Sequence, residues 1–137
     1  MATFDSADDL YKLLGGFLDD ITKADDMRPK FTAANTSFRV TYTDPVSAIL
    51  VDCTQDPPEV VNDPPPERKA EISIEMNADD GHKFWLGQLN MTLALAKKQV
   101  RVTGPMAKML KLLPALRPAF PRYKQYLIDH GAGDKVA

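Results

Sequence analysis

Apolar residues near the start of the chain recur at spacings of three and four. Leu10, Leu13, Leu14, Phe17, Leu18 and Ile21 share one face of a predicted helix. Ser6 stands where an N-cap belongs, and Asp8 and Asp9 fall in the first turn, where the helix dipole favours negative charge. Gly15 and Gly16 lie in the helix interior, where each costs about 1 kcal/mol relative to alanine; close approach of a neighbouring element would explain the pair. From Thr36 to Thr43 the period changes to two, with Phe38, Val40 and Tyr42 on one side and Ser37, Arg39, Thr41 and Thr43 on the other. This predicts a strand with one wet face. Asp44 and Pro45 predict a turn, Ala48 to Cys53 a second strand, and Glu71 to Met76 a third in which Ile72, Ile74 and Met76 point inward. Between the last two, residues 54–69 carry Pro57, Pro58, Pro64, Pro65 and Pro66 among acids, which predicts a solvated loop, partly polyproline II.

The second half is richer in helix signals. Asn77 predicts a cap for a helix carrying Phe84, Trp85 and Leu86, and Asn90 a cap for another running to Lys97. Gln99 to Thr103 reads as a short strand with Val100 and Val102 inward. Gly104 then precedes Pro105 at the first position of a helix on which Met106, Met109, Leu110 and Leu113 share a face. In residues 114–131, Pro114, Pro118 and Pro121 interrupt the apolar residues, and a last helix is predicted from near Pro118. Strands under a helical layer make an α+β fold with one sheet face covered and the other polar.

Composition narrows the class. The chain has 137 residues, 44% of them hydrophobic, which predicts one domain over residues 1–137 with a core that needs no disulfide or metal. Cys53 is the only cysteine and no basic then apolar stretch opens the sequence, so a reducing, cytoplasmic setting is expected. No apolar run approaches the ~18 residues of a membrane span. His82 and His130 are far apart and remote from Cys53, which argues against a zinc site. The charge is uneven: residues 1–80 carry 7 Lys+Arg against 17 Asp+Glu, and residues 81–137 carry 10 against 2, so −10 and +8 make up the net −2. The prediction is one acidic and one basic side, or two halves that attract each other across the fold.

Catalytic templates are missing: the sequence has no nucleophile elbow, phosphate loop, H-E-x-x-H or dinucleotide fingerprint. The pairs Asp8/Asp9, Asp19/Asp20 and Asp25/Asp26 diverge by about 100° on a helix and read as solvated surface. His82, among Asp79, Asp80 and Lys83, reads as a surface histidine. The basic half lacks the aromatic strand pattern that stacks bases, so no nucleic-acid partner is expected. Met76, Met91, Met106 and Met109 with Phe84, Trp85, Phe120, Tyr123 and Tyr126 are adaptable side chains, suited to a ligand cavity and equally to an ordinary core, which composition alone favours.

From Asp80 to Leu112 the chain carries Gly87, Leu89 and Asn90 after one helix and Ala94 within the next. Val100 and Val102 then alternate with Arg101 before Gly104, Met106, Lys111 and Leu112. In this order, after an amphipathic helix and three strands, these residues resemble the sterol carrier protein 2 family, also called the sterol-binding domain. The resemblance implies an α+β fold whose sheet, antiparallel in type and of about five strands, is covered on one face by helices enclosing a hydrophobic tunnel. It also implies a noncatalytic protein, without cofactor or metal, that holds or transfers a fatty acid, fatty acyl-CoA, sterol or similar lipid. Carried onto this chain, Ile72 and Ile74 would wall the tunnel from the sheet. Trp85, Leu89, Leu93, Met106, Met109, Leu110 and Leu113 would wall it from the helices, and Phe120 and Tyr123 would close its end. A tunnel taking ten methylenes would gain on the order of 8 kcal/mol before ordering costs. The basic half offers a transient dock for an anionic membrane surface or an acyl-CoA phosphate, and the segment 114–131, hinged at its prolines, would act as a lid. The alternatives are an accessory interaction module of this fold, or an enzyme for a steroid or acyl substrate with Tyr123 or Tyr126 as acid. Lys98 stands where the family commonly has glycine, Pro105 where an acid is frequent, and residues 54–69 look like an elaboration. The terminal Lys135, Val136 and Ala137 are no peroxisomal tripeptide.

Overall fold

Each of the three N-caps expected from the sequence is made. Ser6 Oγ accepts from the Asp9 N–H (3.1 Å), Asn77 Oδ1 from the Asp79 N–H (2.8 Å) and Asn90 Oδ1 from the Leu93 N–H (3.1 Å), satisfying donors that a helix start leaves bare. The computed structural model describes residues 3–136; Met1, Ala2 and Ala137 lie outside them, and the expectations drawn from the two chain ends fall partly there. The first cap starts α1 (Ala7–Leu10), which continues through a π-helical turn, Tyr11–Gly15, into α2 (Gly16–Lys23). Close approach does account for the glycines: a Cβ on Gly15 would strike the side chain of Asn62, and one on Gly16 the hydroxyl of Tyr126. A further helix, α3 (Arg28–Ala34), was not expected. Its signals are Pro29 in the first turn and Asn35, left-handed at φ 47°, just beyond its end.

Five strands, β1 (Ser37–Thr43), β2 (Ser47–Asp52), β3 (Glu59–Asn62), β4 (Ile72–Asn77) and β5 (Arg101–Thr103), form one sheet in the order β3-β2-β1-β4-β5. The sheet is mixed, not antiparallel throughout: β1 and β4 run parallel, with Val40 opposite Ile74, and the other pairs are antiparallel. The cause is a strand that the proline-rich stretch conceals. β3 takes the edge beside β2, so the chain must cross β2 and β1 to reach its next place, and this crossover leaves β4 parallel to β1.

Residues 63–71 make that crossover on the outer face of the sheet. Arg39 of β1 holds them there, its guanidinium donating to the carbonyls of Pro64 (3.2 Å), Pro65 (3.0 Å) and Arg68 (2.7 Å). Pro64 is buried, and so is Leu50, which shares the outer face with Arg39. The expected solvated loop is therefore an edge strand followed by an ordered cover over part of the wet face. Proline suits that role because it brings no N–H that the cover would leave unpaired.

The other sheet face, with Phe38, Tyr42, Ile49, Ile72 and Ile74, joins the helices in one core. After β4 come α4 (Ala78–Trp85) and α5 (Met91–Ala96). Lys98 then turns the chain toward β5 at φ 60°, so the position where the resemblance expects glycine does use a conformation that favours glycine, with lysine in it. Gly104 follows β5 at φ 122°, and a Cβ there would come within 2.5 Å of the Glu71 carbonyl oxygen. Pro105 occupies the N-cap position before α6 (Met106–Leu112), with no side-chain cap, instead of opening its first turn. Beyond α6 the chain tightens to a 3-10 helix, Leu113–Ala119, and continues as α7 (Phe120–Asp129). The last helix thus begins at Phe120, two residues beyond Pro118. Pro114 and Pro118 fall in the 3-10 segment and Pro121 in the first turn of α7, where a missing N–H costs least. No helix among the described residues is long and apolar enough to cross a membrane.

Candidate functional site

Between the covered sheet face and the helices lies a cavity of about 100 Å3. Its floor is Phe38, Val40 and Tyr42 of β1, Val51 of β2, and Ile74 and Met76 of β4. Its walls come from Leu18, Phe31, three residues of α4 (Gly81, Phe84, Trp85), Met91, and the α6 and 3-10 segment with Met109, Leu112, Leu113 and Leu116. Among the described residues, none that lines the cavity carries a charged side chain. Val40 stands mid-sheet between Ile49 and Ile74 on the covered face, yet it is only half-buried, as are Phe84, Met91 and Leu113. The cavity therefore opens to solvent beside these side chains.

The space is smaller than the expected ten-methylene tunnel. At about 100 Å3 it falls short of the ~150 Å3 apolar cavity that accepts benzene. What occupies the difference is soft, however. Met76, Met91 and Met109 are unbranched thioethers that change rotamer readily, so the walls can yield to a longer chain.

Of the residues singled out by the sequence, Ile74, Trp85, Met109 and Leu113 line this cavity. Ile72 is fully buried opposite Phe38, one inward position along β4 from Ile74. Leu89 and Met106 are half-buried against the core outside the lining. Leu93 and Leu110 depart from expectation, being 49% and 47% exposed. The inward stripe of α6 runs through Met109, Leu112 and Leu116, rotated by about a residue from the predicted face, and on α5 Ala94 takes the inward direction from Leu93. Phe120 packs edge-on to Phe84 and Trp85, centroids 5.5 and 6.3 Å away, outside the lining. Phe38, Val40 and Tyr42 were legible as the apolar side of β1, whereas Phe31 belongs to the helix that the sequence reading lacks.

Tyr123 is wholly buried but turns away from the cavity, toward His82. His82, predicted on the surface, is itself buried. Its Nε2 is 2.7 Å from the Lys135 carbonyl oxygen and its Nδ1 2.7 Å from the Tyr123 hydroxyl. A carbonyl only accepts, so Nε2 donates and Nδ1 accepts the phenol proton, which uses both nitrogens of a neutral imidazole. Burial, the largest influence, holds the His82 pKa below its ordinary value against the Lys135 carbonyl bond and Asp79, which favour the charged form. The signal lay in the spacing, since Ala78, His82 and Trp85 stand at i, i+4 and i+7 on α4. Tyr126 donates to the Lys12 carbonyl (3.3 Å), so neither Tyr123 nor Tyr126 presents an acid to the cavity. Burial also pushes the Cys53 thiol up to about 12, far from a reactive thiolate.

The sequence pattern of the SCP-2 sterol transfer family matches residues 14–117. The chain belongs to that family. The matched span of the SCP-2 domain contains every residue that lines the cavity. In structure the domain is similar to sterol carrier protein 2 from Yarrowia lipolytica in its apo form, with a TM-score of 0.61 and 16% identity over 82% of this chain and 91% of that one. It is likewise similar to the sterol carrier protein domain 2 of Helicoverpa armigera, with a TM-score of 0.62 and 14% identity over 78% and 87%. A stereoselective inverting sec-alkylsulfatase from Pseudomonas sp. matches with a TM-score of 0.54 and 12% identity over 68% of this chain and 14% of the enzyme, so the SCP-2 fold also occurs within an enzyme. No curated protein sequence shows significant similarity to the chain. Membership in the SCP-2 family implies an apolar lipid ligand in general.

Proposed function

We propose that this SCP-2 domain is a noncatalytic lipid carrier that seats the apolar part of a fatty acid, fatty acyl-CoA or sterol in the cavity and leaves any charged end at the mouth. The observation that carries the reading is an open cavity whose lining has no charged side chain. Such a site gains about 0.8 kcal/mol per buried methylene and offers nothing to offset a buried carboxylate. Native mass spectrometry of gently purified protein is expected to show a lipid retained from the expression host, and delipidated protein is expected to bind a fluorescent fatty acid at micromolar concentration. Protein that is uniformly ligand-free and binds no such probe would defeat the reading.

The proposed partner for loading and release is an anionic membrane surface. Met106 and Leu110 of α6 and Leu113 just beyond it recur at spacings of four and three, and this stripe leads from the exposed Leu110 to Leu113 in the cavity lining. The neighbouring Lys111 and Arg117 are exposed and make no ion pair among the described residues. Each basic side chain adds about 1 kcal/mol near a charged bilayer. Co-flotation with phosphatidylglycerol vesicles is expected at low salt and should disappear near ~0.5 M salt, where charges a few ångströms apart are screened. Equal binding to neutral phosphatidylcholine vesicles would remove the electrostatic part of this proposal.

A further inference from the structure

The cavity floor contains one polar atom that a purely apolar pocket does not need. Tyr42 is 2% exposed and belongs to the lining. The three other tyrosines each use their hydroxyl: Tyr11 accepts from the Ala48 N–H (3.3 Å), Tyr123 bonds His82 (2.7 Å) and Tyr126 bonds the Lys12 carbonyl (3.3 Å). The Tyr42 hydroxyl has no protein partner among the described residues. Yet no side-chain oxygen or nitrogen sealed off inside the described protein lacks a partner. The Tyr42 oxygen therefore keeps some accessible surface, and the cavity is the space that Tyr42 lines. Its ring is fixed in place, since a Cβ on Gly81 would lie within 2.8 Å of Cε1. An unpartnered hydroxyl is costly to bury, and phenylalanine would make the same floor without that cost.

We propose that the Tyr42 hydroxyl is the hydrogen-bonding anchor for a neutral oxygen of the bound lipid, so that the cavity selects molecules with a buried hydroxyl or carbonyl over bare hydrocarbon. The inference rests on the lipid-carrier reading and adds the polarity of the ligand's buried end. A carboxylate is a poor occupant because no cation lines the cavity, and burial keeps the phenol in its neutral form, able to donate and to accept. Among the described lining residues, Trp85 carries the only other side-chain N–H or O–H, again a donor suited to an acceptor oxygen.

The test titrates delipidated wild type and Tyr42→Phe with 1-octanol and with octane, each by displacement of a fluorescent fatty acid. Wild type should prefer 1-octanol. The variant should lose roughly fivefold in affinity for 1-octanol, the worth of one net hydrogen bond, and nothing for octane. Its Tm without ligand should match or exceed wild type, because no protein bond is lost. Equal effects on both ligands, or a Tm lowered as for a bonded tyrosine, would overturn the anchor while leaving lipid binding intact. Wild type that binds neither probe would overturn both.

Discussion

Val40→Trp is expected to weaken fatty-acid binding roughly fiftyfold without loss of stability. Val40 lies at the centre of the cavity floor and is only half-buried, so a larger side chain there grows into space that no protein atom fills. Filling a void adds dispersion contacts that its walls otherwise forgo. The ligand loses the same space: each excluded methylene costs about 0.8 kcal/mol, so displacing three weakens binding roughly fiftyfold. Ile72→Trp is the control. Ile72 is on the same sheet face but fully buried and outside the lining, so the added bulk has nowhere to go and should cost about 1–3 kcal/mol or more. Fluorescent fatty-acid titration alongside urea unfolding separates the two variants. If Val40→Trp binds as well as wild type, the ligand sits elsewhere; if it unfolds as easily as Ile72→Trp, the cavity is too tight to admit any chain.

How much of this was legible beforehand depended on whether a feature is local. Caps and periodicity are local, and Ser6, Asn77, Asn90 and the alternation of Phe38, Val40 and Tyr42 all appear where their chemistry places them. The β1–β4 pairing is not local. It depends on β3 taking the sheet edge, and β3 has only four residues framed by prolines and acids, too short a run for alternation to stand out. Once β3 is missing, the parallel pair and the crossover held by Arg39 cannot be deduced. The cavity was legible in kind but not in outline. Composition alone favoured an ordinary core for the methionines and aromatics of the second half, and the expectation of a cavity came from the family resemblance. Leu110 and Leu93 were nonetheless assigned inward, because on helices of six and seven residues a rotation of one position leaves the apolar count nearly unchanged. The hydrogen bonds of His82 are with residues 41 and 53 positions away, a separation that no window of sequence reveals.

His82 is also where the largest loss of stability is expected. Replacing it by alanine removes the partner of the Tyr123 hydroxyl and of the Lys135 carbonyl in a buried setting and leaves a void, which together should cost about 3 kcal/mol. The damage should spread, because the Lys135 Nζ donates to the Thr3 carbonyl (2.7 Å) and the Thr3 N–H to Asp79 Oδ1 (2.8 Å), tying both of these segments to α4. The same site predicts a pH dependence with a definite sign. The folded protein holds the His82 pKa below the value of about 6.5 that an unfolded chain has, so unfolding takes up a proton on the acid side of that value. Stability from this group is complete above about pH 6.5 and falls as the pH drops, by at most about 1.4 kcal/mol per pH unit for one proton, until the lower folded-state pKa is reached. The carboxylates of Asp26, bonded to Arg122, and Glu71, bonded to Thr36 and Lys108, are held low and surrender their contributions only below about pH 4.5, so their loss begins at lower pH than that of His82. Urea unfolding of wild type, His82→Ala and the exposed control His130→Ala between about pH 7.5 and pH 5 is the measurement. Wild type and His130→Ala should lose stability together as the solution is acidified, and His82→Ala should begin lower and stay flat. A His82→Ala protein that keeps the wild-type slope would show that the proton goes elsewhere.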